Sequence, residues 1–381
     1  MSHCPRRALF FRSELLPLSE TFITGQASAL RRFDAWFTGL KRIPNSLELD
    51  PSRMTLATCS NTLRDKIARR LYMRAGIGPH FLKRIAETKP AILHAHFATD
   101  GCAALPIQKH LDLPLVVTLY GYDVTSSDAA LSSYPIGRTY LQRKTQLWEK
   151  ASLFICISEF IRQRALRLGY PEDKLWVNPL GLDVQFFQPS ATHNKQPIVL
   201  FVGRLVEKKG CSYLIRAMAE VQRSFPDARL VVLGDGPLRT SLEQQAQSTM
   251  RNYEFLGAQS AAMVQQWMQR AHMVAAPSVI AANGDSEGLC VVACEAQAMG
   301  LPVVSFHGPG LSEAVADGET GFLVEQSNEH ALAEAILSLL KDEALSVRMG
   351  AAGRKRVETH FNVLRQAEKI EGQYQKILSG R

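Results

Sequence analysis

The sequence lacks the features of a secreted or membrane-spanning chain. Its 381 residues include only seven cysteines, at positions 4, 59, 102, 156, 211, 290 and 294. They are odd in number and scattered, and Cys156 sits in the apolar run Leu153-Phe154-Ile155-Cys156-Ile157. This excludes a disulfide framework and reads as reduced core thiols of a cytosolic protein. Cys290 and Cys294 are too few and wrongly spaced for zinc, so no metal is expected. The apolar run at 8–11 is short and gives way to Arg12 and Glu14. Neither a signal peptide nor a spanning helix is expected from it. The aromatic interleaving of single-strand nucleic-acid binders is also missing, so nucleic acid is not an expected partner.

What is present describes a soluble globular chain, 46% apolar and 21% charged, and long enough for two domains. The net charge of +8 is uneven. Residues 1–186 carry 25 Lys/Arg against 16 Asp/Glu, a net +9, and residues 187–381 carry 19 against 20, a net −1. The excess gathers in Arg64, Lys66, Arg69, Arg70, Arg74, Lys83 and Arg84, in a helical region that also holds Leu63, Ile67, Leu71, Phe81, Leu82 and Ile85. That region reads as a solvated helix face, or as a dock for an anionic membrane surface or lipid-phosphate acceptor.

Strands are expected at 7–11, 33–38, 91–96, 115–119, 153–157 and 175–178. Helices fall between them at 21–30, capped by Ser19-Glu20-Thr21, and at 61–87, broken at Gly76-Ile77-Gly78-Pro79. More follow at 100–110, 138–150 and 159–168, while 42–60 reads as irregular. Residues 184–196, with Pro189, Ser190, Thr192 and Asn194, lose the apolar period and read as a linker. The alternation then restarts, with strands at 198–202, 230–233, 254–256, 274–276 and 303–306 and helices at 211–224, 237–248, 261–270 and 289–299. Tail helices are expected at 329–340 and 362–378. The pattern implies an α/β protein of two doubly wound, Rossmann-like domains, 1–183 and 197–360, facing a cleft. A C-terminal helix at 361–381 has room to cross back to the first domain.

The stretch Glu287-Gly288-Leu289-Cys290-Val291-Val292-Ala293-Cys294-Glu295 holds two carboxylates eight positions apart, around the start of a short apolar helix. Gly300 and Pro302 stop that helix. The free N–H groups near Leu289, Cys290 and Val291 form an anion site. Gly203, Arg204 and Lys209 follow the first strand of this half: a close backbone approach, a planar fork for phosphate oxygens and a mobile cation. Gly234-Asp235-Gly236-Pro237 is a tight turn at the same sheet edge. Phe255-Leu256-Gly257 offers an apolar shelf and backbone groups to a base, or is plain strand packing.

Taken together and in order, these motifs resemble the donor half of retaining glycosyltransferases of family 4, which have the GT-B fold. Pro277-Ser278, Gly300-Leu301-Pro302-Val303-Val304, Glu313 and Asp317-Gly318-Glu319-Thr320-Gly321-Phe322-Leu323-Val324 complete the set. Ser19-Glu20-Thr21-Phe22-Ile23 and Gly121-Tyr122-Asp123-Val124 resemble the subgroup that builds bacterial exopolysaccharides of the colanic-acid type. The resemblance implies a nucleotide diphosphate sugar as donor, UDP before GDP. Its acceptor would be a lipid-linked glycan at the inner face of a bacterial plasma membrane. Arg204 and Lys209 would take the diphosphate, Glu295 the ribose hydroxyls and Glu287 the sugar hydroxyls. With those cations present no metal or other cofactor is implied, and the donor half has no Asp-X-Asp cluster. On the acceptor side it implies Ser19, Glu20, Thr21, Gly121 and Asp123. Tyr120 stands where the family commonly has His, and His94 and His96 end the preceding strand as other candidates. Two rival readings are a nucleotide-sugar epimerase of the same architecture and a non-catalytic scaffold of polysaccharide assembly.

Overall fold

Runs of Val, Ile, Leu and Phe between polar loops form two large parallel sheets in the computed structural model, which describes residues 5–17, 20–44, 46–189 and 196–380. Each sheet lies in its own unit: Met1–Gly181 with Val363–Arg381, and Leu182–Asn362. The first sheet runs Met54–Leu56, Phe33–Gly39, Arg6–Phe11, Pro90–His96, Leu115–Leu119, Ala151–Cys156, Leu175–Val177. The second runs Tyr253–Phe255, Arg229–Leu233, Ile198–Val202, Met273–Ala275, Val303–Phe306, Gly321–Val324. Central strands such as Leu115–Leu119 are buried at every position, because helices cover both faces. In both sheets the order reverses beside the unit's first strand, where doubly wound sheets leave a crevice at the carboxyl ends. Arg12 and Gly203 follow those two strands.

Several local expectations need correction. Residues 54–56 are a strand and not irregular chain, since the edge of the sheet at Phe37–Gly39 gives them a partner. The strand Gly321–Val324 pairs in the same way with Val303–Phe306. The helix Glu343–His360 was not legible, because only Met349 and Val357 of its buried face are large apolar residues, beside Ser346, Gly350 and Gly353. A Cβ on Gly350 would stand 2.1 Å from the Gly300 carbonyl oxygen, so smallness is what that packing requires. The second unit begins at Leu182, so 184–189, the described part of the expected linker, lies inside that unit. Arg354 donates to the carbonyls of Val184 at 3.1 Å and Phe187 at 2.6 Å, which binds that stretch into the second unit.

The last helix, Val363–Ser379, belongs to the first unit. One oxygen of the buried Glu371 carboxylate accepts from three successive amides, Arg31 at 2.8 Å, Arg32 at 2.6 Å and Phe33 at 3.0 Å. Replacing Glu371 by Ala leaves three donors without that acceptor. We expect a loss on the order of 2–3 kcal/mol. Urea unfolding followed by tryptophan fluorescence measures it, since Trp36, Trp148 and Trp176 lie in this unit.

Candidate active site

In the second unit the ends of three neighbouring strands are laced by backbone hydrogen bonds. Gly203 N–H donates to Leu233 O at 2.9 Å, and Gly234 N–H to Gly257 O at 2.8 Å. Gly234 has φ +147°, and a Cβ there would sit 1.8 Å from the Gly203 carbonyl oxygen, so no larger residue fits the turn. The loop after Gly203 is tied across to the loop after Met273–Ala275, where Val279 N–H donates to Lys208 O at 2.8 Å. Of the three amides in the expected anion site, Cys290 N–H donates to Gly310 O at 3.2 Å. That amide is occupied, and Leu289 and Val291 remain without a hydrogen-bond acceptor among the described residues. The helix itself begins at Val291 and not at Leu289.

These ties bring Lys209 and Glu287 together. Lys209 Nζ lies 2.7 Å from Glu287 Oε1. Ser278 Oγ donates to the same oxygen at 3.3 Å. Burial opposes both charges, but each outweighs it for the other: Lys209 is held above its usual range, and Glu287 below its own with the help of Lys208. Lys208 pairs in turn with Asp285 at 3.0 Å. Sequence reasoning missed Lys208 and Asp285, because a charge pair 77 positions apart has no local signal. Arg204 is exposed and makes no side-chain hydrogen bond or ion pair among the described residues. Phe255 and Leu256 are half-buried, with Phe255 packed against the core.

Glu295 is half-buried, and its carboxylate also makes no hydrogen bond or ion pair among the described residues. Burial pushes its carboxyl up to about 7, with Lys209 acting in the opposite direction. The two carboxylates of the motif are therefore unlike: Glu287 is a paired anion and Glu295 an unpaired one that burial resists.

The first unit holds a second cluster. Arg12 forks onto Glu20, at 3.0 Å from Nε and 2.8 Å from Nη2, and onto Asp100 at 2.6 Å. Its guanidinium lies 4.5 Å over the Phe97 ring. Phe97 has φ +75°, a strained value for a bulky residue. Glu20 is at the start of the helix Thr21–Ala29 but makes no side-chain cap, because Arg12 takes its carboxylate. Thr21 is exposed on that helix, and Ser19 lies outside the described residues. Asp123 is a backbone clamp: it accepts from Ala98 N–H at 2.8 Å, Gly121 N–H at 2.9 Å and Tyr120 N–H at 3.3 Å. Tyr120 and His96 meet at 2.6 Å, hydroxyl to Nδ1. Burial drives His94 to about 3 and His96 well down, and drives the Tyr120 hydroxyl well up, so all three stay neutral at physiological pH. Arg12, Asp100 and Phe97 were not singled out beforehand; an Arg directly after the first strand was the one available signal.

Comparison with known proteins places this geometry in a class. The solved Anabaena protein HepE, in complex with UDP and glucose, matches with a TM-score of 0.76 at 19% identity, over 97% of this chain and 100% of that one. The likeness is one of fold, and the fold is GT-B. Residues 184–356 match the model for glycosyl transferases group 1, and residues 60–186 that for Glycosyltransferase Family 4. The chain belongs to glycosyltransferase family 4. It is 34% identical over 197 residues to a GDP-mannose-dependent monoacylated alpha-(1-6)-phosphatidylinositol monomannoside mannosyltransferase of Corynebacterium glutamicum, covering 48% of this chain and 51% of the relative. It is 30% identical over 280 residues to an Escherichia coli chain assigned as a colanic acid biosynthesis glycosyltransferase, covering 70% of this chain and 66% of that one. The chain thus spans between half and two thirds of the length of these two relatives.

The raised Glu295 carboxyl has a consequence for stability. The folded chain binds this proton more tightly than the unfolded chain, so this group's contribution falls as pH rises from the ordinary carboxyl range to about 7. Glu295→Gln is expected to raise stability above that window, by up to about 3 kcal/mol, and to be neutral below it. Thermal melts of both proteins across pH check this.

Proposed function

We propose that this chain is a retaining glycosyltransferase that moves a sugar from a nucleoside diphosphate donor to a hydroxyl of a polysaccharide or lipid-linked glycan. The observation that carries the reading is the set Arg204, Lys209, Glu287 and Glu295 around the strand ends of the second unit, with Lys209 Nζ 2.7 Å from Glu287. An exposed guanidinium and a half-buried ammonium suit a leaving group that gains negative charge. A carboxylate without a hydrogen-bond partner, Glu295, suits the paired hydroxyls of a ribose. Glu287, held in place by Lys209 and Ser278, suits a hydroxyl of the sugar. Bound phosphate would share Lys209 with Glu287, so positioning of the sugar and loss of the nucleotide are coupled. The cations suffice for a reaction without a metal.

UDP and GDP are the bases to compare, since one relative's name specifies GDP-mannose. Calorimetry with UDP, GDP, UDP-glucose and GDP-mannose tests the site. Glu295→Ala and Arg204→Ala are each expected to weaken binding of the preferred nucleotide by roughly ten- to a hundred-fold. Glu287→Ala is expected to lower turnover more than binding. Undiminished affinity in both of the first two variants would sink the assignment. Product with the donor's anomeric configuration, read by NMR, supports retention. Conversion of donor alone to an epimer would favour the epimerase.

We further propose that the helix Leu63–Ala75 rests on an anionic membrane. Leu63, Ile67 and Leu71 recur every four residues and are 74%, 50% and 46% exposed, with Ile77 beyond them at 55%. Exposed Arg64, Lys66, Arg70 and Arg74 surround them. Phe81, Leu82 and Ile85 of the next helix are core residues. Arg69 is already engaged by Thr58 at 2.7 Å and Asn61 at 2.8 Å, and is left out of the dock. No helix of the described residues is long and apolar enough to cross a membrane. Reversing the charges of Arg64, Lys66, Arg70 and Arg74 is expected to weaken partition onto phosphatidylserine vesicles on the order of a thousandfold, at roughly 1 kcal/mol for each of the four cations. Salt-independent binding that survives the reversal would count against the dock.

A further inference from the structure

In the second unit the turn Glu207–Lys209 and the loop 277–286 are bound together at several points. Gly210, at φ +66°, lies so close that a Cβ on it would stand 1.8 Å from the Pro277 carbonyl oxygen. Val279 N–H donates to Lys208 O at 2.8 Å, and Ala282 N–H to Glu207 Oε1 at 3.2 Å. The loop is also closed on itself. Ala281 N–H donates to Asp285 O at 2.9 Å, Gly284 N–H to Ala281 O at 2.8 Å, and Asp285 N–H to Asn283 Oδ1 at 3.0 Å. That closure presents the Asp285 carboxylate to Lys208, whose Nζ lies 3.0 Å from each of its oxygens. Two consecutive lysines thus grip two acids two positions apart, Lys208 on Asp285 and Lys209 on Glu287.

These two lysines and two acids balance in charge as they stand. A donor diphosphate brings further negative charge and draws on Lys209. Glu287, which is buried, then loses part of the pairing that makes its charge tolerable there. Ser278 supplies it one hydrogen bond and no charge. Lys208 is the second cation that favours the ionised form of Glu287. Asp285 keeps its ammonium from following Lys209 toward a phosphate, and both side chains of that pair are mostly buried, at 13% and 19% exposed.

We propose that Lys208 and Asp285 are positioning residues for the donor sugar: Asp285 anchors Lys208, and Lys208 balances the charge of Glu287 while Lys209 serves the donor phosphate. The same pair straps the loop 279–286 onto the turn Glu207–Lys209, so the chain leading into Glu287 is in place before a donor arrives. Only ion pairs and hydrogen bonds form or break. The role toward a substrate rests on the glycosyltransferase reading, but the strap does not.

Hydrogen exchange of the full chain tests the strap without any substrate. Lys208→Met and Asp285→Asn are each expected to speed exchange of the amides in 279–286 at least about fivefold. Function is read as nucleotide release from UDP-glucose and GDP-mannose, beside calorimetric binding of UDP and GDP. Lys208→Met should lower kcat about tenfold with affinity for the nucleoside diphosphate held within about twofold, because Lys208 acts through Glu287 and not on phosphate. Asp285→Asn should lower kcat as well, and the double variant should lose no more than Lys208→Met alone. Lys208→Arg, which keeps a cation, should retain most of kcat. If Lys208→Met does not fold, Asp285→Asn carries both comparisons. Unchanged exchange in both variants overturns the proposal, and so does unchanged turnover in both. Nucleoside diphosphate affinity that falls as far as turnover in Lys208→Met also overturns it, since general loosening of the site gives that result. If the wild-type chain neither binds nor cleaves either donor, the failure lies with the glycosyltransferase reading, and the exchange comparison still decides the strap.

Discussion

The ion pair between Lys209 and Glu287 is the interaction on which the second unit's site depends. It joins the loop after the first strand of the unit to the loop before the helix Val291–Ala298, at 2.7 Å. Each charge makes the other tolerable in a place where burial disfavours both. With Lys209 committed to Glu287, Glu295 has no pair of its own, and its carboxyl rises to about 7. The same pair therefore fixes one carboxylate and leaves the other in need of hydrogen-bond donors. A nucleotide sugar carries such donors on its ribose.

The first unit reaches a similar end by different means. Its buried acids are satisfied by backbone amides and one guanidinium: Asp123 clamps three N–H groups, Glu371 three more, and Arg12 holds Glu20 and Asp100. These contacts fix the chain around Tyr120 and His96 without a mobile ion pair. Two of the acceptor-side expectations change in kind as a result. Asp123 has its carboxylate occupied by the turn that carries it, and Glu20 has both oxygens on Arg12. Tyr120 meets His96 Nδ1 at 2.6 Å, and burial keeps its hydroxyl protonated.

Most of the architecture was legible before the structure, because parallel strands buried on both faces read as unbroken apolar runs. The strands Ile198–Val202 and Val303–Phe306 and the helices Cys211–Ser224 and Ala261–Arg270 fall on their expected residues. The motifs that resemble family 4 were equally legible, since they lie in single loops. What escaped had no local signature. Glu343–His360 buries two glycines and a serine beside Met349 and Val357, Met54–Leu56 is a strand only because a sheet edge lies beside it, and Lys208–Asp285 joins residues far apart in sequence.

By itself the sequence determined the α/β alternation, the family and the residue types at the strand ends, all of which depend on neighbours within a few positions. Only the tertiary structure decided which of those residues are available. Lys209 is shared with Glu287, Cys290 N–H is taken by Gly310, Asp123 is occupied by its own turn, and Arg204 and Glu295 stand without partners among the described residues. The reason is physical: the availability of a charge or a hydrogen-bonding group depends on its burial and on the partner opposite it. Both are set by where the loops meet.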